Sequence, residues 1–290
     1  MSTAPLAGGR ADPARRLVVN ADDLGLSVLV NEGIEETIRA GVVTSVSILV
    51  NTPGFDDAVR RAEALGARVS IGLHFNLTTG RPVSPAPSVP SLVDASGRFL
   101  TLPRLVARAL GGRLRAAEVR READAQFARL CSAGLAPDHV DSHRHVHAAA
   151  AVRGPRVGAA HAAGVRIVRR PLEPLFARPA GPAALLKRAA LAAAWSTPSA
   201  GPSPVPGTAS FRGLALLGGR GFEADLLALL DALPTGSTEL MVHPGREDAS
   251  IATWDPYIAG RAVELAALLS PSTRERLARS GLTLTGFGAA

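Results

Sequence analysis

Cysteine is almost absent from this chain: Cys131 is the only one in 290 residues, so no intrachain disulfide can form and nothing demands an oxidising compartment. A reducing cytoplasm is the expected setting. Lysine is equally scarce, Lys187 being the only one, so the formal net charge of +7 is carried by arginines that do not deprotonate. They are scattered through stretches such as residues 104–121, and aromatics make up only 4% of the chain, so the ring-interleaved basic stripe of a nucleic-acid site is missing. Nucleic acid is not an expected partner. Long hydrophobic runs are missing too. The Ala/Leu-rich stretch at 183–195 is too short to span a bilayer and contains Lys187 and Arg188, and the first sixteen residues lack the apolar run of a secretory signal. Residues 1–16 read as a loose arm, and no stable membrane insertion is expected.

What the chain has is apolar material, 47% of its residues, enough for one large core over residues 17–290. Short apolar runs at 17–20, 46–50, 69–73, 139–141, 165–168, 238–242 and 282–285 read as strands. Between most of them lie helical stretches, at 28–40 with Ser27 as cap and Gly41 as stop, from Pro53, and at 102–109, 116–133, 148–163, 222–233, 256–269 and 272–280. This alternation predicts an α/β domain of mainly parallel strands. Residues 80–97, rich in Pro and Ser, read as a surface loop beside a substrate cleft, and 171–206 is a proline-punctuated stretch with a helix in its middle.

Polar groups cluster where the predicted strands stop: Asp22 and Asp23, His74, the run Asp141-Ser142-His143-Arg144-His145-Val146-His147, and His243 before Pro244-Gly245. In β/α folds these ends form the active face, so the four segments are expected to meet in one pocket. Two imidazoles and a carboxylate with an open position make a hydrolytic metal site. Plainer explanations exist for each group alone. An aspartate after a strand often caps the next helix, although only one of two neighbours can do so. A lone histidine such as His74 is usually a satisfied core or surface residue, and His139 and His161 are read that way. His243-Pro244-Gly245 alone is as readily a strand-ending turn. His143, His145 and His147 alternate, which on a strand would turn all three to one side.

Four strings, in order, carry a resemblance: Val19-Asn20-Ala21-Asp22-Asp23-Leu24-Gly25, Gly72-Leu73-His74-Phe75-Asn76-Leu77-Thr78, Val140-Asp141-Ser142-His143-Arg144-His145-Val146-His147, and Glu239-Leu240-Met241-Val242-His243-Pro244-Gly245. With Gly41-Val42-Val43-Thr44-Ser45 they resemble the YdjC-like carbohydrate deacetylase family, which includes chitooligosaccharide and hopanoid-associated deacetylases, over most of the chain. The resemblance implies an irregular (β/α) barrel holding one divalent ion, Mg2+ or Zn2+. It implies Asp23, His74 and His143 as ligands and Asp22 as base, with the split between the two aspartates open. Arg169, in Arg169-Arg170-Pro171, would orient the base. His145, His147 and Asn76 are expected to bind substrate, and a homodimer is left open. Leu24 stands where the family commonly has an aromatic residue, and 171–206 matches least, which leaves the sugar undefined.

The chemistry so implied is hydrolysis of the N-acetyl group of an amino sugar. The ion activates a water that Asp22 deprotonates, and His243, its pKa expected to be raised by Asp22 or by bound product, protonates the departing amine. Trp195, Trp254 and Tyr257 are the available stacking rings. Two rivals share this residue set: a metal-dependent phosphoesterase on a similar barrel, and a non-catalytic sugar-binding protein.

Overall fold

Buried apolar runs become parallel strands here because helices cover the sheet that they form. The computed structural model describes residues 15–177, 181–202 and 205–289. In chain order the elements are β1 (Arg15–Leu24), α1 (Val28–Arg39), β2 (Ser45–Ile48), α2 (Phe55–Leu65), β3 (Ser70–Phe75), α3 (Leu102–Leu110), α4 (Ala116–Ser132), β4 (His139–Ser142), α5 (Ala150–Ala162) and β5 (Ile167–Val168). There follow α6 (Pro182–Ser196), β6 (Val205–Pro206), β7 (Ser210–Arg212), α7 (Phe222–Asp231), β8 (Gly236–Val242), α8 (Ala259–Leu269), α9 (Pro271–Arg279) and β9 (Leu282–Leu284).

The strand order is β6-β5-β4-β3-β2-β1-β8-β7, all parallel, with β9 pairing β1 below β2. β6 and β7 end this order at opposite edges, yet only residues 207–209 separate them in the chain. At about 3.8 Å between successive Cα atoms those three residues cannot span an open sheet, so the edges curl towards each other. The result is the expected irregular (β/α) barrel with a seam between β6 and β7.

The expected arm at 1–16 lies mostly outside the described residues; its last two, Arg15 and Arg16, already belong to β1. They pair with Gly236 and Ser237 on one side and with Leu282 and Thr283 on the other. Tertiary pairing extends the strand past its apolar run. Likewise the helix expected from Pro53 begins at Phe55, and the short strands β6 and β7 have no apolar run to announce them.

Two glycines set the packing around the active end. A Cβ on Gly72 would stand 2.3 Å from the His139 ring, which crosses the barrel interior to meet Ser47 Oγ at 3.1 Å. A Cβ on Gly33 in α1 would meet the Gly245 Cα at 2.7 Å, so the turn after His243 lies directly on that helix.

Candidate metal centre and active site

β1 ends in a bulge: Ala21 pairs with Val46 and Leu24 with Ile48, leaving one residue too many on β1. The surplus puts Asp23 at φ 69°, a conformation non-glycine residues rarely adopt and one that is concentrated at functional sites. This turn sends the two adjacent carboxylates to different partners. Asp23 Oδ1 lies 3.1 Å from His74 Nε2 and 2.9 Å from His143 Nδ1. All three side chains are buried, and their ligand atoms lie within 4.8 Å of one another. Donors at about 2.0–2.2 Å from one ion, at right angles, stand about 3 Å apart, so the set fits a single divalent cation.

The surroundings fit as well. Asp141 Oδ1 meets His74 Nδ1 at 2.7 Å, which fixes the proton there and leaves Nε2 as the free ligand atom. Arg261 Nη2 donates to Asp23 Oδ2 at 2.6 Å and to Asp255 Oδ2 at 2.7 Å, so only Oδ1 of Asp23 is free for an ion. Burial opposes ionisation of Asp23, but Arg261 and His143 outweigh it and hold the carboxyl well below the usual range. A second donor cluster, Asp22, His74 and Asp141, is already saturated, because Arg169 occupies its carboxylates.

Arg169, just past β5, is the hub of the barrel interior. Its two Nη atoms each meet an oxygen of Asp22 at 2.6 Å, Nη2 is also 2.8 Å from Asp141 Oδ2, and Nε donates to Glu239 Oε1 at 2.6 Å. Asn20 Nδ2 adds a 2.7 Å bond to Asp22 Oδ1. Three buried carboxylates thus share one guanidinium. Burial pushes Glu239 up to about 7, helped by Asp141 and Asp22, whereas Arg169 and His74 overcome burial at Asp141 and hold it low.

The histidine run departs from its expected alternation. Residues 143–148 form a 3₁₀ turn with Arg144 (φ 55°) and His145 (φ 52°) in left-handed conformations, so the three imidazoles diverge. His143 joins Asp23 and His74. His145 lines the pocket 6.1 Å from the Phe211 ring, and His147 is buried against Ser142 and Trp195, outside the pocket wall. Burial together with Arg169 near His145, and with Arg156 near His147, keeps both rings neutral. Asn76 is buried too: Oδ1 accepts from Thr78 and Thr79 backbone N–H groups and Nδ2 donates to Asn51 and Thr79, so it builds the β3 exit turn.

The pocket above these groups has a volume of about 260 Å³ and is walled by Asp22, Asp23, His74, His143, His243 and Tyr257, among others. His243 follows β8 and is 15% exposed. Burial disfavours its imidazolium, but Glu264, Asp22 and Asp23 outweigh that and raise its pKa. Tyr257 is the aromatic residue of the wall, whereas Trp195 and Trp254 lie outside it. No residue of the 80–97 loop lines the pocket either. That loop is tied to α4 by Glu118 and Glu122, which accept from the backbone N–H groups of Ser91, Val83 and Ser84. Beside the pocket runs an apolar groove of about 480 Å³ between α3 and α6, sharing Leu102, Arg144, His145 and Lys187 with it.

Sequence reasoning left Asp141 without a role and overlooked Glu239, Arg261 and Glu264. Each is a charge set inside a buried apolar element, which is the signal that could have found them.

Comparison with known proteins identifies the family. A model of the YdjC-like protein family matches residues 16–279. The chain is 34% identical to a carbohydrate deacetylase of Geobacillus stearothermophilus, over 94% of this chain and 97% of that one. It is 36% identical to a mouse carbohydrate deacetylase, over 94% of each, and 33% identical to a chitooligosaccharide deacetylase of Enterobacter sp., over 93% and 97%. A crystal structure from Enterococcus faecalis superposes with a TM-score of 0.75 at 25% identity, over 95% of this chain and 98% of that one.

Proposed function

The chain belongs to the YdjC-like family, and from that footing we propose that it removes the acetyl group from an N-acetylated amino sugar. One observation carries the reading: a one-ion donor set, a carboxylate and an imidazole all open on the same cavity. Asp23, His74 and His143 would hold the ion, and two imidazoles with one carboxylate suit zinc better than oxygen-seeking magnesium. When bound, the ion supplies Lewis-acid polarisation of the acetyl carbonyl and acidifies a water.

The other steps belong to the chain. Asp22, held by Arg169 through both oxygens, takes a proton from the attacking water. The water oxygen bonds to the acetyl carbon, the C–N bond breaks, and the sugar nitrogen takes a proton from His243, whose raised pKa favours the proton-carrying form. The phosphoesterase rival usually uses two ions, and the saturated second cluster argues against it. The presence of both a base and an acid argues against a purely binding role. The reading extends to a reducing cytoplasm, which suits a single cysteine.

The groove bears on the substrate. Beyond the shared boundary it is lined by residues such as Val106, Ala190 and Leu191, with no stacking ring and with Thr197 as the one side chain there that can hydrogen-bond a second sugar. An amino sugar with an apolar substituent therefore fits better than a chitin fragment. Acetate release should be measured for methyl and octyl N-acetylglucosaminides and for chitobiose, with zinc and with chelator. Zinc-dependent release is expected, with kcat/KM rising up to about fourfold per buried methylene. No acetate from any member would overturn the reading, and preference for chitobiose would overturn the substrate class.

A further inference from the structure

Helix α8 carries two buried charges one turn apart, Arg261 and Glu264. Arg261 grips Asp23; Glu264 is committed to His243. Its Oε2 accepts the His243 backbone N–H at 2.6 Å, and its Oε1 stands 3.7 Å from the ring Nδ1. That Nδ1 is buried and makes no hydrogen bond, and Glu264 Oε1 is the charged oxygen that stands nearest it. Tyr257 holds the carboxylate from the far side, donating from Oη to Glu264 Oε1 at 2.5 Å while accepting the Gly218 backbone N–H. The Tyr257 ring leaves no room for a Cβ at Gly260, its hydroxyl and the Gly260 carbonyl leave none at Gly218, and Arg261 stands over the ring face. The pair is therefore wedged in place.

We propose that Glu264, braced by Tyr257, is the positioning residue of the His243 acid: it directs Nδ1–H inward and leaves Nε2 to protonate the leaving nitrogen. Glu264 touches no reacting atom, so it acts only through His243. The idea rests on the deacetylase reading for the identity of the leaving group. Its chemistry is specific. An amine cannot depart as an anion and needs a proton as the C–N bond breaks, whereas p-nitrophenolate leaves an acetyl ester without one. Asp22 and Asp23 on β1, His145, and Tyr257 also face the His243 ring, and none of them hydrogen-bonds its Nδ1, beside which Glu264 stands.

The test compares wild type with Glu264→Gln and Tyr257→Phe on two substrates, methyl N-acetylglucosaminide and p-nitrophenyl acetate, with 15N spectra of the seven histidines. Glu264→Gln should lower kcat/KM on the amide about 10- to 100-fold and on the ester less than threefold, with Tyr257→Phe weaker in the same direction. Above its pKa, the neutral His243 ring should carry its proton on Nδ1 in wild type and lose that preference in Glu264→Gln. Equal losses on both substrates, or an unchanged ring signature, would overturn the proposal. If wild type cleaves neither substrate the deacetylase reading falls, and the ring signature still decides the role of Glu264.

Discussion

Replacing Arg169 by methionine should cost about 3–5 kcal/mol of stability at pH 7, the penalty for stranding buried charge. The expected size follows from the number of groups left behind: Asp22, Asp141 and Glu239 all lose their shared cation. Without Arg169, Asp141 loses the largest influence holding its pKa low, and Glu239, already raised by burial, is pushed higher still in the folded variant. A folded state that holds extra protons loses stability as pH rises, so the deficit against wild type should be largest near pH 8 and should shrink towards pH 5.5. Urea midpoints across that range measure it. Arg169→Lys keeps the charge but not the planar fork, and one ammonium cannot reproduce contacts made by three guanidinium nitrogens. It should fall between the two proteins in stability, and with Asp22 no longer held through both oxygens it should lose acetate release as well. A pH-independent deficit would mean that Arg169 acts by packing, for instance over the Phe211 ring 5.6 Å away.

That hub shows where sequence reading stops. Arg169 was found through its likeness to a family element, but its partners come from β1, β4 and β8, and only the sheet order places them around one guanidinium. Strands such as β1, β3 and β8 were legible because buried parallel strands are continuous apolar runs. The two or three residues of β6 and β7 are strands by virtue of their neighbours and leave no local trace. The same limit explains the histidines. Alternation in the sequence implies one side only if the backbone is extended, and two successive left-handed residues, Arg144 and His145, break that condition. Strand-end position was the stronger guide to which segments meet, since Asp23, His74 and His143 all lie at such ends and stand together in the fold, while the choice of these three came from the family resemblance. Arg261 and Glu264 lie in a helix whose buried charges only the fold directs onto Asp23 and His243.

His74→Ala should reduce acetate release by about a thousandfold or more, because it removes a donor on which Lewis-acid assistance worth several kcal/mol depends. The physical basis can be tested without turnover. In the metal-free protein, burial disfavours the His74 imidazolium, but Asp141 and Asp22 outweigh it and raise its pKa to about 10. The ring is therefore charged at pH 7–8, and Nε2 must give up its proton before it can ligate. Calorimetric titration with zinc in buffers of different ionisation enthalpy should show about one proton released per ion, with apparent affinity rising up to about tenfold per pH unit. Because the folded pKa is raised, the stability that His74 contributes to the metal-free protein is present in full below about pH 6.5. It declines as pH rises towards 10, while the increment from added zinc grows over the same range. Asp141→Asn leaves the three donors in place but weakens the hold on His74 Nδ1, which should lower metal affinity about 10- to 100-fold. If His74→Ala bound zinc as tightly as wild type and released no fewer protons, the ion would have to be held elsewhere.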